Sequence, residues 1–296
     1  MTSATPDTHA HDNHSIDGRV MCQNCDHDYV GQYCSQCSQR ADTHPVNWHY
    51  IWHEIPHSVW HIDRGIAYTL RQLLTRPGHT IREFLEGKRV NHYRPLALLF
   101  LLGAIYLFVQ HGLGISFAKV SQEMFSPETK DASARLLAFQ KESGQFLERN
   151  QNLISIVMIP FYAFGYWLMF RRQGYNYPQM LVVQTFITNF HLLLSLGIVI
   201  LFWALGGSVA AYSVIMSLSL VGMIGYNAVT YYQLLQRRVR LITVVFRSFI
   251  GFAIGYLSFM LLVALVTIGY IAFSVIKDPS FFKSAKPATT IQKPRK

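Results

Sequence analysis

Four cysteines are the residues of this chain whose spacing most clearly predicts chemistry. Cys22 and Cys25 form one Cys-x-x-Cys pair, and after eight further residues Cys34 and Cys37 form a second pair. Two such pairs this close together can place four thiolates tetrahedrally around one zinc ion. Because four cysteine ligands leave no position open for water or substrate, we expect the ion to be structural rather than catalytic.

Two disulfide bonds or an iron–sulfur cluster are the alternatives for these cysteines. Disulfide bonds need an oxidising compartment, and the polar residues 1–20 lack the apolar run of a signal peptide. An iron–sulfur cluster usually has other spacings. A domain of about twenty residues buries too little apolar surface to fold alone, so bound zinc would supply much of its folding free energy.

A second candidate metal site lies in the segment that follows. Histidines recur there at every fourth residue: His49, His53, His57 and His61. This spacing puts them on one side of a helix, where a pair can chelate a metal, and the best set is His57, His61 and Asp63. Pro56 interrupts the row, however, and three tryptophans accompany it, which favours a helix that lies in the membrane interface.

Polar side chains within the apolar part of the chain form a third candidate site. They lie on one face of the predicted third span and one face of the fourth, and the best candidates are Gln184, Thr188, His191 and Asn227. Polar groups at this depth face other helices or water, so we expect the two faces to meet. The faces either bind a small substrate or lipid headgroup or hydrogen-bond the helices to each other, and the second interpretation is favoured.

The composition excludes the common soluble classes. Hydrophobic residues make up 51% of the 296 residues and charged residues only 14%, whereas soluble domains carry about 25% charged residues. Between residues 149 and 276 there are seven arginines and no acidic residue, as expected of a chain in lipid, where a carboxylate is costly. We predict an all-α polytopic membrane protein of about five transmembrane helices, with a small N-terminal four-cysteine zinc ribbon and interfacial amphipathic helices.

The predicted domain organisation follows the change from polar to apolar sequence. It comprises a disordered tail at 1–20, the ribbon at 21–40, amphipathic helices at 46–93, a transmembrane bundle at 94–276 and a basic disordered tail at 277–296. The spans cover about 95–113, 152–170, 179–205, 208–235 and 249–276, close to the ~20 residues that a bilayer requires. Residues 118–150 are predicted to be an extracytoplasmic helical excursion.

Basic residues determine the predicted orientation. Five of them precede the first span: Arg76, Arg82, Lys88, Arg89 and Arg94. By the positive-inside rule, this flank and the N-terminus are expected in the cytoplasm of a multi-pass membrane protein. Five spans then place the basic C-terminal tail outside, against the charge rule; either charges late in the chain do not determine the orientation or the number of spans differs by one.

These features resemble a bacterial family of membrane proteins with a zinc-ribbon head, domain-of-unknown-function family 3667. Besides the cysteine pairs, the resemblance rests on Asp63-Arg64-Gly65, Thr69-Leu70, Leu74-x-x-Pro77-Gly78, Gly87-Lys88-Arg89, Tyr93 and Pro95. It covers residues 22–100 and implies a multi-pass protein of the bacterial inner (cytoplasmic) membrane. The segment from Leu74 to Phe84 is also similar to the sequence before the first span of Yip-type five-span membrane proteins, and neither resemblance implies an activity.

The chain departs from the family's pattern at two places. Zinc-ribbon knuckles usually carry glycine after the second cysteine of each pair, whereas this chain has Asp26 and Ser38. The family favours a Glu-His pair at the start of the third span, where this chain has Gln179-Met180. A site built on that pair therefore does not carry over.

The sequence favours a non-enzymatic scaffold or adaptor, in contact with membrane lipids, whose cytoplasmic ribbon docks a protein partner. The alternative is a transporter or lipid-handling protein that uses the polar faces of the third and fourth spans. The sequence contains no GxSxG, HExxH or Walker motif, so no catalytic residues are predicted. Nucleic acid is not expected to bind, because residues 20–42 hold one arginine against three aspartates.

Overall fold

A computed structural model describes most of the chain. The described residues are 19–41, 43, 45–57, 65–117, 119–120, 142, 144–235 and 239–277. The predicted tails lie almost wholly outside these residues, and so does most of the predicted excursion at 118–150.

The N-terminal ribbon begins with a two-stranded antiparallel hairpin. Strand β1 spans Arg19–Met21 and strand β2 spans Asp28–Val30, with Val20 opposite Tyr29. An isolated hairpin of this size is marginally stable in water. Its buried apolar cluster consists of only three residues: Cys22, Tyr29 and Cys34. The cysteines themselves therefore form the centre of the ribbon.

Three short helices lead from the ribbon to the first long helix. They are α1 (Trp48–His57), α2 (Ile66–Thr75) and α3 (Pro77–Leu85). Pro77 separates α2 from α3, because proline removes a backbone donor inside a helix but is well accommodated in the first turn. We call α2 and α3 together the cap.

Within the described part of the chain, five helices are long and apolar enough to cross a membrane, which agrees with the number predicted from the sequence. They are α4 (Pro95–Gly112), α5 (Gln151–Phe170), α6 (Tyr177–Ala204), α7 (Val209–Leu234) and α8 (Leu241–Lys277). Helix α8 starts at Leu241 rather than at residue 249, and its 37 residues extend about 55 Å at 1.5 Å per residue. It is therefore longer than the ~30 Å hydrocarbon core of a bilayer.

The long helices alternate in direction, so the bundle has two distinct ends. At one end, which we call the ribbon end, the start of α3 packs against the last turns of α7 near Thr230 and Leu234. At the opposite or far end, Phe202 of α6 contacts Tyr212 of α7. Between those helices Gly206 and Gly207 have φ values of +76° and +69°, the left-handed conformation that glycine adopts without strain.

The cap is packed onto the ribbon end of the bundle. Leu73, Ile81 and Phe84 are fully buried, and the Phe84 ring lies 5.1 Å from that of Phe186 on α6. The guanidinium of Arg82 donates to the carbonyl of Gln233, 3.0 Å away. The apolar faces predicted from the sequence therefore contact α6 and α7, while a position at the membrane interface stays a prediction.

Helices α5 and α8 meet at a seam of glycines. Gly251 and Gly255 are spaced four residues apart on α8, and both face α5. A Cβ atom on Gly165 of α5 would lie only 2.1 Å from the carbonyl oxygen of Gly251 and 2.8 Å from the amide nitrogen of Gly255. Small residues at this spacing allow two helix backbones to approach closely in a membrane.

Candidate functional site

The four cysteines come together in a cluster that can hold one metal ion. Their sulfur atoms all lie within 4.8 Å of one another. Across the two knuckles, Cys22 Sγ is 3.4 Å from Cys37 Sγ, and Cys25 Sγ is 3.6 Å from Cys34 Sγ. Four thiolates at ~2.3 Å from a tetrahedral zinc ion would be about 3.8 Å apart. The donor set and its spacing therefore fit a tetrahedral thiolate site.

The backbone of the two cysteine knuckles repeats the same pattern. In the first, Asp26 N–H donates to Cys22 O over 2.9 Å; in the second, Ser38 N–H donates to Cys34 O over 2.8 Å. Asp26 and Ser38 have φ values of 58° and 62°, the left-handed region in which glycine is usual. The departures from glycine noted in the sequence are thus accommodated, at the cost of a less favourable backbone conformation.

The left-handed conformation of Asp26 and Ser38 predicts that glycine at either position stabilises its knuckle. Asp26→Gly and Ser38→Gly are each expected to stabilise the metal-loaded ribbon by up to about 1 kcal/mol, because a left-handed conformation strains residues that carry a Cβ. Chelator competition on the full-length protein would show slower metal loss. Asn24→Gly, at a position outside the left-handed region, is the matched control and should speed the loss; equal effects from all three variants would contradict the explanation.

The groups around the cluster favour the thiolate form of Cys34 in the absence of a metal ion. Burial opposes ionisation of Cys34, but hydrogen bonds to its sulfur from the backbone N–H groups of Cys37 and Gln36 and from the thiols of Cys25 and Cys37 lower its pKa to about 6. Burial raises the pKa of Cys22 above the usual value of a thiol. Binding of a metal cation therefore releases protons from the thiols that are still neutral.

Gln39 fastens the ribbon to the turn that follows the cap. Its side-chain amide donates to Gly87 O over 3.0 Å, and its side-chain oxygen accepts from Arg89 N–H over 3.2 Å. The Gln39 side chain is buried. Gly87 has a φ of +97°, and a Cβ there would lie 2.0 Å from the Gln23 side-chain oxygen. The ribbon is thus held in a fixed position relative to the bundle.

Removing this side chain should release the ribbon without emptying the metal site. Gln39→Ala removes the acceptor of the Arg89 amide and the donor to the carbonyl of the buried Gly87, and loss of the partner of a buried group costs about 1–3 kcal/mol. We expect faster hydrogen exchange at the Arg89 amide in the full-length protein and unchanged metal content. Gln36→Ala, an exposed glutamine of the same ribbon, is the control and should leave the exchange rate as in wild type; unchanged exchange in Gln39→Ala would contradict the fastening role.

The other predicted metal set cannot be placed. His57 is the last residue of α1, but its side chain is not described. His61 and Asp63 lie wholly outside the described residues. Among the described residues, the four-cysteine cluster is the group able to hold a metal ion. A second metal at His57, His61 and Asp63 stays a prediction.

The polar candidates of the third and fourth spans line one cavity inside the bundle. Gln184, Thr188, His191 and Asn227 contribute to its wall, and its volume is about 200 Å³. The structure therefore brings together the residues that their spacing placed on two facing helix sides. Part of their polarity is used between helices: Gln184 Nε2 donates to the Tyr231 hydroxyl over 2.7 Å.

Two of these side chains keep a polar atom without a partner. His191 Nε2 and Asn227 Oδ1 are buried and make no hydrogen bond to any described residue. The amide nitrogen of Asn227 donates to Met223 O over 2.9 Å, so its oxygen is the atom left over. Interhelical hydrogen bonding, the interpretation that the sequence favoured, therefore accounts for Gln184 but not for these two atoms.

Sequence reasoning missed a carboxylate that organises the far end of the bundle. Glu148 accepts three hydrogen bonds: from Gln110 Nε2 at 3.0 Å, Ser116 Oγ at 2.7 Å and Phe117 N–H at 2.9 Å. One turn further along the chain, Gln151 and Ser155 line the cavity. Their four-residue spacing on α5 was a visible signal for the cavity wall, whereas the partners of Glu148 are too distant in sequence to be predicted.

The fold and the cysteine cluster define a helical membrane protein with a small head able to bind a metal. Residues 63–107 match the model of a family described as a protein of unknown function (DUF3667), which supports the family that the motifs indicated. The match does not include the cysteine ribbon, and it does not test the similarity to Yip-type proteins. No curated protein and no solved structure matches the chain.

The matched segment supplies the contacts that seat the cap. A Cβ on Gly78 would lie 2.2 Å from Thr230 O and 2.4 Å from Leu234 N, so only glycine permits this approach of α3 to α7. Tyr93 N–H donates to the Thr69 hydroxyl over 2.7 Å. Gly78, Thr69 and Tyr93 of the motif therefore have structural roles. Outside it, Gln179 closes a capping box with Asn176 at the start of α6.

Proposed function

We propose that this protein is a non-enzymatic scaffold or adaptor of the bacterial inner membrane whose cytoplasmic zinc ribbon docks a partner protein. The observation that supports the proposal is a ribbon that could hold a metal, is hydrogen-bonded to the turn after the cap and exposes large apolar side chains. Met21 is 58% exposed, Val30 70% and Tyr33 57%.

Zinc is the metal that suits the cysteine cluster best. Soft thiolate ligands in a tetrahedral set of four are typical of structural zinc sites, and such sites leave no coordination position for a reaction. When bound, the ion would hold the two knuckles together and supply folding free energy that the small ribbon core does not. The cysteines, with the N–H groups around Cys34, are the residues that would hold it.

The distribution of basic residues supports a cytoplasmic ribbon. Arg76, Arg82 and Arg89 belong to the cap and the turn after it, and Arg171 and Arg172 lie between α5 and α6. All of these positions are at the ribbon end of the bundle. Lysine and arginine accumulate on the cytoplasmic side of bacterial membrane proteins, and that compartment keeps thiols reduced and available to a metal.

The exposed residues lie where a partner can reach them. Met21 and Val30 project from the same face of the hairpin, because Val20 and Tyr29 occupy the opposite face. Exposed apolar side chains bordered by polar ones mark protein interaction surfaces. Since Gln39 fixes the ribbon to the cap, a partner bound there would be held at a defined position relative to the membrane.

Photocrosslinking in living bacteria tests this proposal. A photoreactive amino acid in place of Val30 is expected to give adducts of one reproducible protein. Those adducts should disappear when Cys34 and Cys37 are both changed to serine, at matched membrane abundance. The same amino acid in place of Phe146, which is exposed at the far end, is the control. No adduct from Val30, or adducts that persist without the cysteines, would contradict docking by the metal-bound ribbon.

A second candidate function is transport or lipid handling within the bundle. The specific observation in its favour is the cavity lined by the polar faces of α6 and α7, with two buried polar atoms that no described residue satisfies. Stabilisation of the purified protein by a ligand of this cavity would support it, and this candidate does not depend on the ribbon.

A further inference from the structure

We infer that the cavity between α5, α6, α7 and α8 binds a hydroxyl group of an uncharged ligand, either a neutral glycerolipid headgroup or a free polyol. The inference deepens the second candidate function by naming the chemistry of the ligand.

The first argument is the pair of polar atoms without partners. Asn227 Oδ1 is an acceptor, and its residue is only 4% exposed, so it requires a donor from the ligand. His191 Nε2 also lacks a partner, and it donates or accepts according to the tautomer of the ring. A hydroxyl group donates its one proton to Asn227 Oδ1 and accepts from His191 Nε2–H, so it satisfies both atoms when the imidazole carries its proton on Nε2.

The second argument is the absence of a counter-charge. None of the described residues that line the cavity is an aspartate, glutamate, lysine or arginine. An ionised phosphate, carboxylate or amine would therefore enter a poorly hydrated site without a counter-charge, which is strongly unfavourable. The rest of the wall combines apolar side chains such as Met158, Met223 and Phe252 with uncharged polar ones such as Gln151 and Ser195, and apolar surface with placed polar groups is typical of small-molecule sites.

The third argument is the shape of the cavity. On its ribbon side Tyr166 and Gln184 form the wall, and behind them the Tyr231 ring stacks between Tyr166 at 4.6 Å and Phe170 at 4.8 Å. Toward the far end, a second cavity of about 390 Å³ shares Gln151, Ser155 and Met158 with the first. Glu148 lines this second cavity only, and its carboxylate already accepts three hydrogen bonds from Gln110, Ser116 and Phe117. The site is thus closed by aromatic packing on one side and continues toward the far end on the other.

The test measures the melting temperature of the full-length protein in phosphatidylcholine nanodiscs. One arm adds dioleoylglycerol to the nanodiscs, and the other adds millimolar glycerol to the buffer. We expect one of these probes to raise the Tm of wild type by several degrees and to leave that of Asn227→Leu and His191→Phe unchanged. Ser217→Ala, a polar position of α7 that does not line the cavity, is the matched control and should respond as wild type does.

Each outcome decides the inference. A shift with dioleoylglycerol alone assigns the site to a membrane lipid, and a shift with glycerol alone assigns it to a soluble polyol. No shift with either probe overturns the inference, and so does a shift that is equally large in both cavity variants. Asn227→Leu is expected to fold, because it replaces an unpartnered buried amide oxygen with an apolar group of similar size. If it does not, His191→Phe decides alone.

Discussion

Gly165→Leu is expected to separate α5 from α8 and to destabilise the bundle by about 3 kcal/mol or more. The added side chain would start 2.1 Å from the Gly251 carbonyl oxygen, and backbone atoms cannot move aside as a flexible side chain can. Because α5 also packs against α6 and forms part of the cavity wall, the damage should reach beyond the seam. Thermal unfolding of the purified protein in detergent measures the effect.

Gly197→Leu is the matched control for this variant. Gly197 also lies in a membrane-spanning helix, but a Cβ there would meet nothing within 4 Å. We expect its Tm to stay close to that of wild type. A Gly165→Leu protein as stable as Gly197→Leu would contradict the close approach of α5 and α8.

Cys34→Ser is expected to empty the metal site and unfold the ribbon. Structural zinc contributes about 10–16 kcal/mol of apparent binding free energy in small zinc domains, and the ribbon core otherwise holds little more than Tyr29. Metal content should fall to near zero, and trypsin should cleave after Arg40 at least about tenfold faster, because the locally unfolded state becomes dominant. The bundle should keep its thermal stability.

Ser35→Ala tests the same knuckle without removing a ligand. Ser35 is exposed between Cys34 and Cys37, so its variant should retain both metal and protease resistance. Loss of metal from Ser35→Ala to the same extent, or a Cys34→Ser protein that still holds its metal, would show that the cysteine cluster is not the metal site.

Much of the fold could be predicted from local signals in the sequence. The long apolar runs marked the five helices, because burial in lipid requires continuous hydrophobicity over a fixed length. The spacing of the cysteines predicted that the four thiols lie close together, because the conformation of each knuckle depends on only a few neighbouring residues. The positions of Gln184, Thr188, His191 and Asn227 on two helix faces predicted that those faces meet.

The features that could not be predicted depend on contacts between distant residues. The amphipathic pattern of residues 46–93 predicted apolar helix faces but not that α6 and α7 cover those of the cap. The hydrogen bonds of Gln39 to Gly87 and Arg89 could not be predicted, because the sequence does not distinguish a polar residue that makes such contacts from one that faces water. The spacing of Gly251 and Gly255 was a visible helix-packing signal, but its partner Gly165 is recognised only when α5 and α8 are seen together.

The most direct test of the central claim, a cytoplasmic ribbon built around zinc, is thiol labelling in spheroplasts. All four cysteines of the chain lie in the ribbon, so labelling reports on nothing else. A membrane-impermeant maleimide added to intact spheroplasts should label no cysteine. In inside-out vesicles the same reagent should label all four, but only after zinc is removed with a chelator. Labelling of intact spheroplasts, or immediate labelling of vesicles in the presence of zinc, would contradict the account.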